Sequence, residues 1–146
     1  MVLFKSENIG KTANDSLRLQ AIKHMPSRVT IKPDKDYILV EPQAGDFWEI
    51  CECFGREFQV PDYQNKNAIW VFPDVPLALI YDDLDKIREI LCNNYPKNAR
   101  PDRKVALVAQ TGLHTALANE YVRIVEYLPI KFQVFSDLRS AEEWIN

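Results

Sequence analysis

The chain has 146 residues, 47% hydrophobic and 27% charged, the balance of one globular domain with a sizeable core. Its formal net charge of -3 argues against a nucleic-acid binder, which carries a basic stripe, and no run approaches the roughly 18 apolar residues of a membrane span. Three cysteines, Cys51, Cys53 and Cys92, make no disulfide framework and read as thiols of a reducing compartment; the apolar run at the N-terminus is too short for a secretory signal, so the expected location is cytoplasmic.

Residues 1–27 lack strong periodicity. Leu17, Ala21, Ile22 and Met25 fit a short helix ending before Pro26, a docking arm or dimer element, with partial disorder the equal alternative. The folded domain is therefore placed at 28–146. Val29 and Ile31 alternate with Thr30 and Lys32, Pro33 to Asp36 turn the chain, and Tyr37-Ile38-Leu39-Val40 follows, a β-hairpin pattern. From Asp46 onward Phe47, Ile50, Cys51, Phe54 and Phe58 fall at helical spacing, with Glu49, Glu52 and Arg56 opposite. Asp46 and Glu49 form a variant capping box. A strand over Trp48 to Phe54 is the rival, and the helix leaves fewer apolar residues misplaced.

Pro61 to Asn67 reads as a polar loop, and Ala68-Ile69-Trp70-Val71-Phe72 as a buried strand stopped by Pro73. After Pro76, Asp82 is a good N-cap, Leu84, Ile87, Ile90 and Leu91 make one helical face, and Asp82 can pair with Lys86. Asn93, Asn94 and Pro96 mark the stop. Arg100, Arg103 and Lys104, with Asp102 among them, read as charges of a solvated loop. Val105 to Ala109 is apolar on both faces, as a central parallel strand should be. Thr111-Gly112 opens a helix with Leu113, Leu117, Tyr121, Ile124 and Leu128 on one face, ended by Pro129. Phe132 to Phe135 is the last strand. Ser136 or Asp137 caps a final helix that buries Leu138, Ala141, Trp144 and Ile145. The order is ββαβαβαβα, an α/β class with a mixed, mostly parallel sheet and packed helices, in which one face can stay partly open for a partner.

This order, with Lys104 to Val108 followed by a helix and the ending Phe132-Gln133-Val134-Phe135-Ser136-Asp137-Leu138-Arg139-Ser140-Ala141-Glu142-Glu143-Trp144-Ile145, resembles the STAS fold of bacterial anti-sigma-factor antagonists and sulfate-transporter tails. The strand, acidic turn and Ala-x-x-Trp helix are similar to the SpoIIAA-like branch. The resemblance spans roughly 28–146 and rests on packing motifs, which identify fold better than function. It implies a bacterial, non-enzymatic regulatory or protein-interaction module that binds a partner or itself as a dimer. In the signalling members a serine in a short turn opens the helix after the third strand and is phosphorylated by a partner kinase. The equivalent stretch here, Leu79-Ile80-Tyr81-Asp82-Asp83-Leu84, has no Ser or Thr, so that role does not carry over, and its acidic residues read as helix capping.

No reactive constellation stands out. Cys51-Glu52-Cys53 has no second thiol pair or histidine pair beside it, and His24 and His114 lack ligand spacing; neither metal nor cofactor is expected. Thr111 to Thr115 lies at a strand end where open α/β sheets bind ligands, but it has one glycine and no phosphate-loop lysine. Acid–base chemistry at His114 with Thr111 would require Asp74 or Tyr81 within reach of the imidazole. Asp82, Asp83 and Asp85 point apart on successive helix positions. Phe47, Trp48, Phe54, Phe58, Tyr63, Trp70 and Phe72 are mostly core, and joint exposure of Trp48 and Tyr63 would mark an apolar pocket or a dimer seam. The expected surface for a protein partner, self-association or a small apolar ligand is therefore Trp48, Tyr63, Asp74, Tyr81, Asp82, Asp83, Thr111 and His114. No nucleic acid and no membrane span are expected. The alternative function is a carrier of a small apolar ligand in an aromatic-lined cleft.

Overall fold

A computed structural model describes residues 28–32, 37–75, 78–94 and 102–146. The expected N-terminal arm, the turn at 33–36, Pro76, Pro96 and Arg100 lie outside the described residues. In chain order the elements are β1 (Arg28–Lys32), β2 (Tyr37–Glu41), α1 (Phe47–Phe58), a 3-10 turn (Tyr63–Asn65), β3 (Asn67–Val71), α2 (Tyr81–Asn94), β4 (Lys104–Val108), α3 (Gly112–Val125), β5 (Lys131–Phe135) and α4 (Leu138–Ile145). The strands form one mixed sheet in the order β1-β2-β3-β4-β5, with β1 antiparallel to β2 and the other pairs parallel. Among the described residues no helix is long and apolar enough to cross a membrane.

Strand order without reversal decides the layering. Each crossover from β2 to β5 steps to the next strand in the same direction, so crossovers of one hand put their helices on one face. Ile50 and Phe54 of α1, Leu84 and Ile87 of α2, and Leu117 and Val125 of α3 all share one core cluster. The register aligns Ile38, Ala68, Val105 and Phe132 in a row across the sheet beneath them. The alternate row, Leu39, Ile69 and Ala106, faces the other way and packs with Ala141 and Ile145 of α4. The layering is three helices over one short helix, the uneven coverage anticipated above.

Several local expectations need correction. Asp46 Oδ1 accepts from the Glu49 N–H at 2.8 Å, so the cap forms. Glu49, however, is not on a solvated face but 1% exposed. Its carboxylate turns back on the incoming loop and accepts from the N–H groups of Gln43, Ala44 and Gly45 at 2.7 to 2.9 Å. Gly45 has φ 72, a left-handed conformation that a side chain would disfavour. At α2 the helix starts at Tyr81, so Asp82 lies inside its first turn and is not the cap, and Asp83 reaches back to accept the Ile80 N–H at 3.0 Å. Lys86 lies over the Phe47 ring at 5.7 Å, and no ion pair with Asp82 forms. Helix α3 ends at Val125 and buries His114, Leu117, Ala118, Tyr121 and Val125, while Leu113 is 59% exposed. The buried stripe keeps Leu117 and Tyr121 of the expected face and swings toward His114, Ala118 and Val125, away from Leu113, while Thr111 caps the helix by accepting the His114 N–H at 3.2 Å. In α4 Asp137 is the cap, accepting the Ser140 N–H at 2.7 Å, which holds its carboxyl below the usual range. Ala141 and Ile145 are buried, but Leu138 is exposed.

Candidate functional site

The site is built from three helices and one strand end. On α1, Ile50, Cys53, Phe54 and Glu57 share the buried stripe, so the helical period carries Glu57 into the interior. There it meets Arg103, which immediately precedes β4. Both side chains are 3% exposed, and Nη2 of Arg103 donates to Glu57 Oε2 at 3.1 Å. Arg103 Nε donates to the Lys66 carbonyl at 2.6 Å, and the guanidinium stands over the Tyr63 ring at 5.9 Å. The Trp70 side chain adds a second hydrogen bond to Glu57. Burial pushes the Glu57 carboxyl up, while Arg103 and Trp70 pull in the opposite direction. A buried pair of this kind is tolerable because both ions are hydrogen-bonded.

Helix α3 supplies the opposite wall. His114 and Tyr121 lie two turns apart on its buried stripe, with Leu117 and Ala118 between them. Together with Leu84 and Ile87 of α2, these residues and the Glu57–Arg103 pair line a cavity of about 60 Å³ between the helical layer and the sheet. Its wall is almost wholly apolar. One polar atom is left over: the Tyr121 hydroxyl is buried and has no hydrogen-bond partner among the described residues. Burial raises its pKa strongly, with Cys92, Glu57 and Tyr127 adding to the effect and Arg88 opposing it, so it stays a neutral phenol that can donate and accept.

The residues singled out from the sequence divide by position. Trp48, Asp74, Tyr81, Asp82, Asp83 and Thr111 follow the carboxyl ends of β2, β3 and β4, and a parallel bridge between Asp46 and Ala78 ties the β2 and β3 exits together. Trp48, Ile80, Tyr81 and Leu113 are 40% to 62% exposed along that edge. Tyr63 does not belong with them. It lies before β3, at the other end of the strands, is 9% exposed, and donates its hydroxyl to the Asn94 carbonyl at 2.6 Å. The joint exposure of Trp48 and Tyr63 therefore does not occur: Phe58 packs on the Tyr63 ring at 5.1 Å.

His114 is 3% exposed and faces the apolar interior, and neither Asp74 nor Tyr81 is hydrogen-bonded to its ring. The Thr111 hydroxyl is committed to the cap. The strand order does not reverse along the sheet, so this edge holds no topological switch point of the kind where α/β sheets open a ligand crevice. Cys51 and Cys53 are buried, and burial, with Asp46 and Asp83 nearby, pushes the Cys51 thiol up to about 11, away from the reactive thiolate. No cluster of three metal-ligating side chains occurs among the described residues.

Three site residues escaped the sequence. Glu57 carried a signal, since it falls three residues after Phe54 and seven after Ile50 on the stripe. Arg103 carried none, and its expected place in a solvated loop is corrected by its burial. Tyr121 was on the expected face, but its unpartnered hydroxyl depends on neighbours brought from α1 and α2. Compared with family models, curated proteins and solved structures, the chain shows no match.

Proposed function

We propose that this chain is a non-enzymatic binding module of the STAS-like, SpoIIAA-like type whose α1–α3 layer holds a small, mainly apolar ligand. The observation that carries the reading is the cavity itself: about 60 Å³ of space is kept between the three-helix layer and the sheet. Close packing leaves few voids larger than a water molecule, and filling one stabilises a protein. The STAS-like element is supported by the element order and by the strand, Asp137 cap and Ala141–Ile145 helix at the end. Xenon tests the cavity without assuming a ligand. In xenon-saturated solution the methyl signals of Ile87, Leu117 and Ala118 are expected to shift, while those of Ala141 and Ile145 on the other face stay fixed. No shift at the lining methyls rejects the reading.

A second reading, self-association or a protein partner, is favoured by one observation. Trp48, Ile80, Tyr81 and Leu113 are large apolar side chains left exposed along one edge, a pattern typical of interaction surfaces. For a self-associating surface, sedimentation velocity across a wide concentration range should give a growing dimer fraction that Leu113→Asp abolishes. A concentration-independent monomer counts against self-association.

A further inference from the structure

We infer that the exposed apolar edge at the carboxyl ends of β2, β3 and β4 is the docking surface of the chain's own N-terminal segment, residues 17–25. The inference is independent of the cavity; it rests on the reading of that edge as an interaction surface and names its occupant. Chain direction is the first argument. β1 runs antiparallel to β2 and pairs Arg28 with Glu41. Residues 1–27 therefore lead into the sheet at the same pole where β2, β3 and β4 leave it. At that pole Trp48, Val75, Ile80, Tyr81 and Leu113 are 40% to 62% exposed, more large apolar surface than a single-chain protein usually leaves in one place.

Reach and pattern are the second. β1 and β4 are separated by three strand spacings, roughly 14 Å. Nine helical residues cover about 13 Å, and residues 26 and 27 add a linker of about 7 Å. Leu17, Ala21, Ile22 and Met25 fall on one helical face, and an amphipathic segment of this length gains its stability from an apolar surface that it covers. Ile80 and Tyr81 at the start of α2 and Leu113 at the start of α3 offer such a surface across adjacent strand exits.

Charge is the third. The segments that leave the parallel strands, 42–48, 72–84, 109–115 and 136–138, hold Asp46, Asp74, Asp82, Asp83 and Asp137 and no lysine or arginine. Asp74 and Asp82 are exposed. Lys86, one turn further along α2, lies over the Phe47 ring at 5.7 Å. The opposite pole is basic, with Lys66, Lys104 and Lys131 where β3, β4 and β5 begin. Residues 16–28 hold Arg18, Lys23 and Arg28 and no acidic residue, and Arg18 falls on the same helical face as Leu17 and Ile22. The antiparallel β1 thus delivers a basic, amphipathic segment to the acidic pole, and complementary charge of this kind favours one docking site over another.

The test uses the full chain with labelled methyl groups and reads nuclear Overhauser contacts, with the rate of trypsin cleavage after Arg18 and Lys23 as a second measure. Methyls of Ile22 and Met25 should contact those of Ile80 and Leu113 within one chain. Leu113→Asp and Ile22→Asp should each abolish these contacts and speed cleavage about tenfold or more, since cleavage follows the undocked population. Asp74→Asn/Asp82→Asn should speed it about threefold. Unchanged methyl signals of Ala141 and Ile145 show that each variant keeps its fold. If Ile22→Asp leaves the Ile80 and Leu113 signals and the cleavage rate as they were, the inference fails, whatever the dimer fraction says of the edge. If the contacts join labelled to unlabelled chains in a mixed sample, or Leu113→Asp abolishes a dimer that Ile22→Asp leaves intact, a second copy covers the edge: the inference fails and the interaction-surface reading stands. If neither contacts nor protection nor a dimer is found, both fail.

Discussion

The two faces of the sheet solve the same burial problem differently. On the α4 side Ala106 and Ala141 are both fully buried and pack in one cluster with Tyr37 and Ile69, and the polar groups at its margin are paired. The Tyr37 hydroxyl donates to Glu142 at 2.6 Å, Lys104 Nζ to the Trp144 carbonyl at 2.9 Å, and Phe135 packs against Trp144. On the three-helix side Phe54, Trp70 and Tyr121 are buried together, yet a cavity, a buried ion pair and an unpartnered phenol remain. The single helix α4 buries the middle of its face and leaves Thr30 and Gln133 exposed at the two edges, whereas three helices cover the other face and still leave a space.

The sharpest way to break this comparison is to remove one ion of the buried pair. Glu57→Ala or Arg103→Ala leaves an uncompensated charge in the interior and should cost about 3–5 kcal/mol in urea denaturation. The double variant Glu57→Leu/Arg103→Met removes both charges and should recover at least half of that loss, because well-packed apolar pairs replace buried ion pairs at little cost. Equal losses in the single and double variants would show that packing, not charge pairing, holds this region.

That pair also marks where the sequence stops being legible. The element order follows from periodicity alone: β4 is apolar on both faces, α2 repeats apolar residues at 84, 87 and 91, and Asp46, Thr111 and Asp137 cap their helices as side-chain acceptors. Charged residues are read by their usual habit of facing water, which places Glu49 and Arg103 outside. Glu49, Glu57 and Arg103 are all below 4% exposed, and each is held by partners that arrive through tertiary structure. Arg103 and Glu57 are 46 residues apart, so no local pattern joins them. The edge surface was more legible, since exits from parallel strands collect at one end in any βαβ order. Tyr63 failed there because a 3-10 turn folds its ring inward beneath Phe58.

A second comparison uses one substitution twice. Ala118 lines the cavity, and Ala141 is 0% exposed in the α4 cluster. Both sit in helices, so the helical cost of valine, about 0.6 kcal/mol, is common to both. Ala118→Val places two more carbons in existing space and should gain about 1 kcal/mol net. Ala141→Val has no space to enter and should lose about 1–3 kcal/mol by overpacking. Denaturation midpoints of opposite sign sharpen the contrast between the faces; equal losses would mean that both are packed alike.

The smallest expected effect has opposite signs in two tyrosines. Tyr37 and Tyr121 are both buried, and in both burial is the leading cause that pushes the phenol's pKa up. Their hydroxyls differ in fate: one is bonded to Glu142 on the α4 side, the other is buried on the three-helix side without a partner. Tyr37→Phe removes a made hydrogen bond to a carboxylate and should destabilise the ligand-free protein by about 1 kcal/mol, the figure for a bond only partly shielded from water. Tyr121→Phe removes a polar atom that was desolvated without compensation and should stabilise it by about 1 kcal/mol. A loss of stability in both variants would mean that the Tyr121 hydroxyl is satisfied in solution, and the difference drawn between the two faces would then rest on the ion pair and the cavity volume alone.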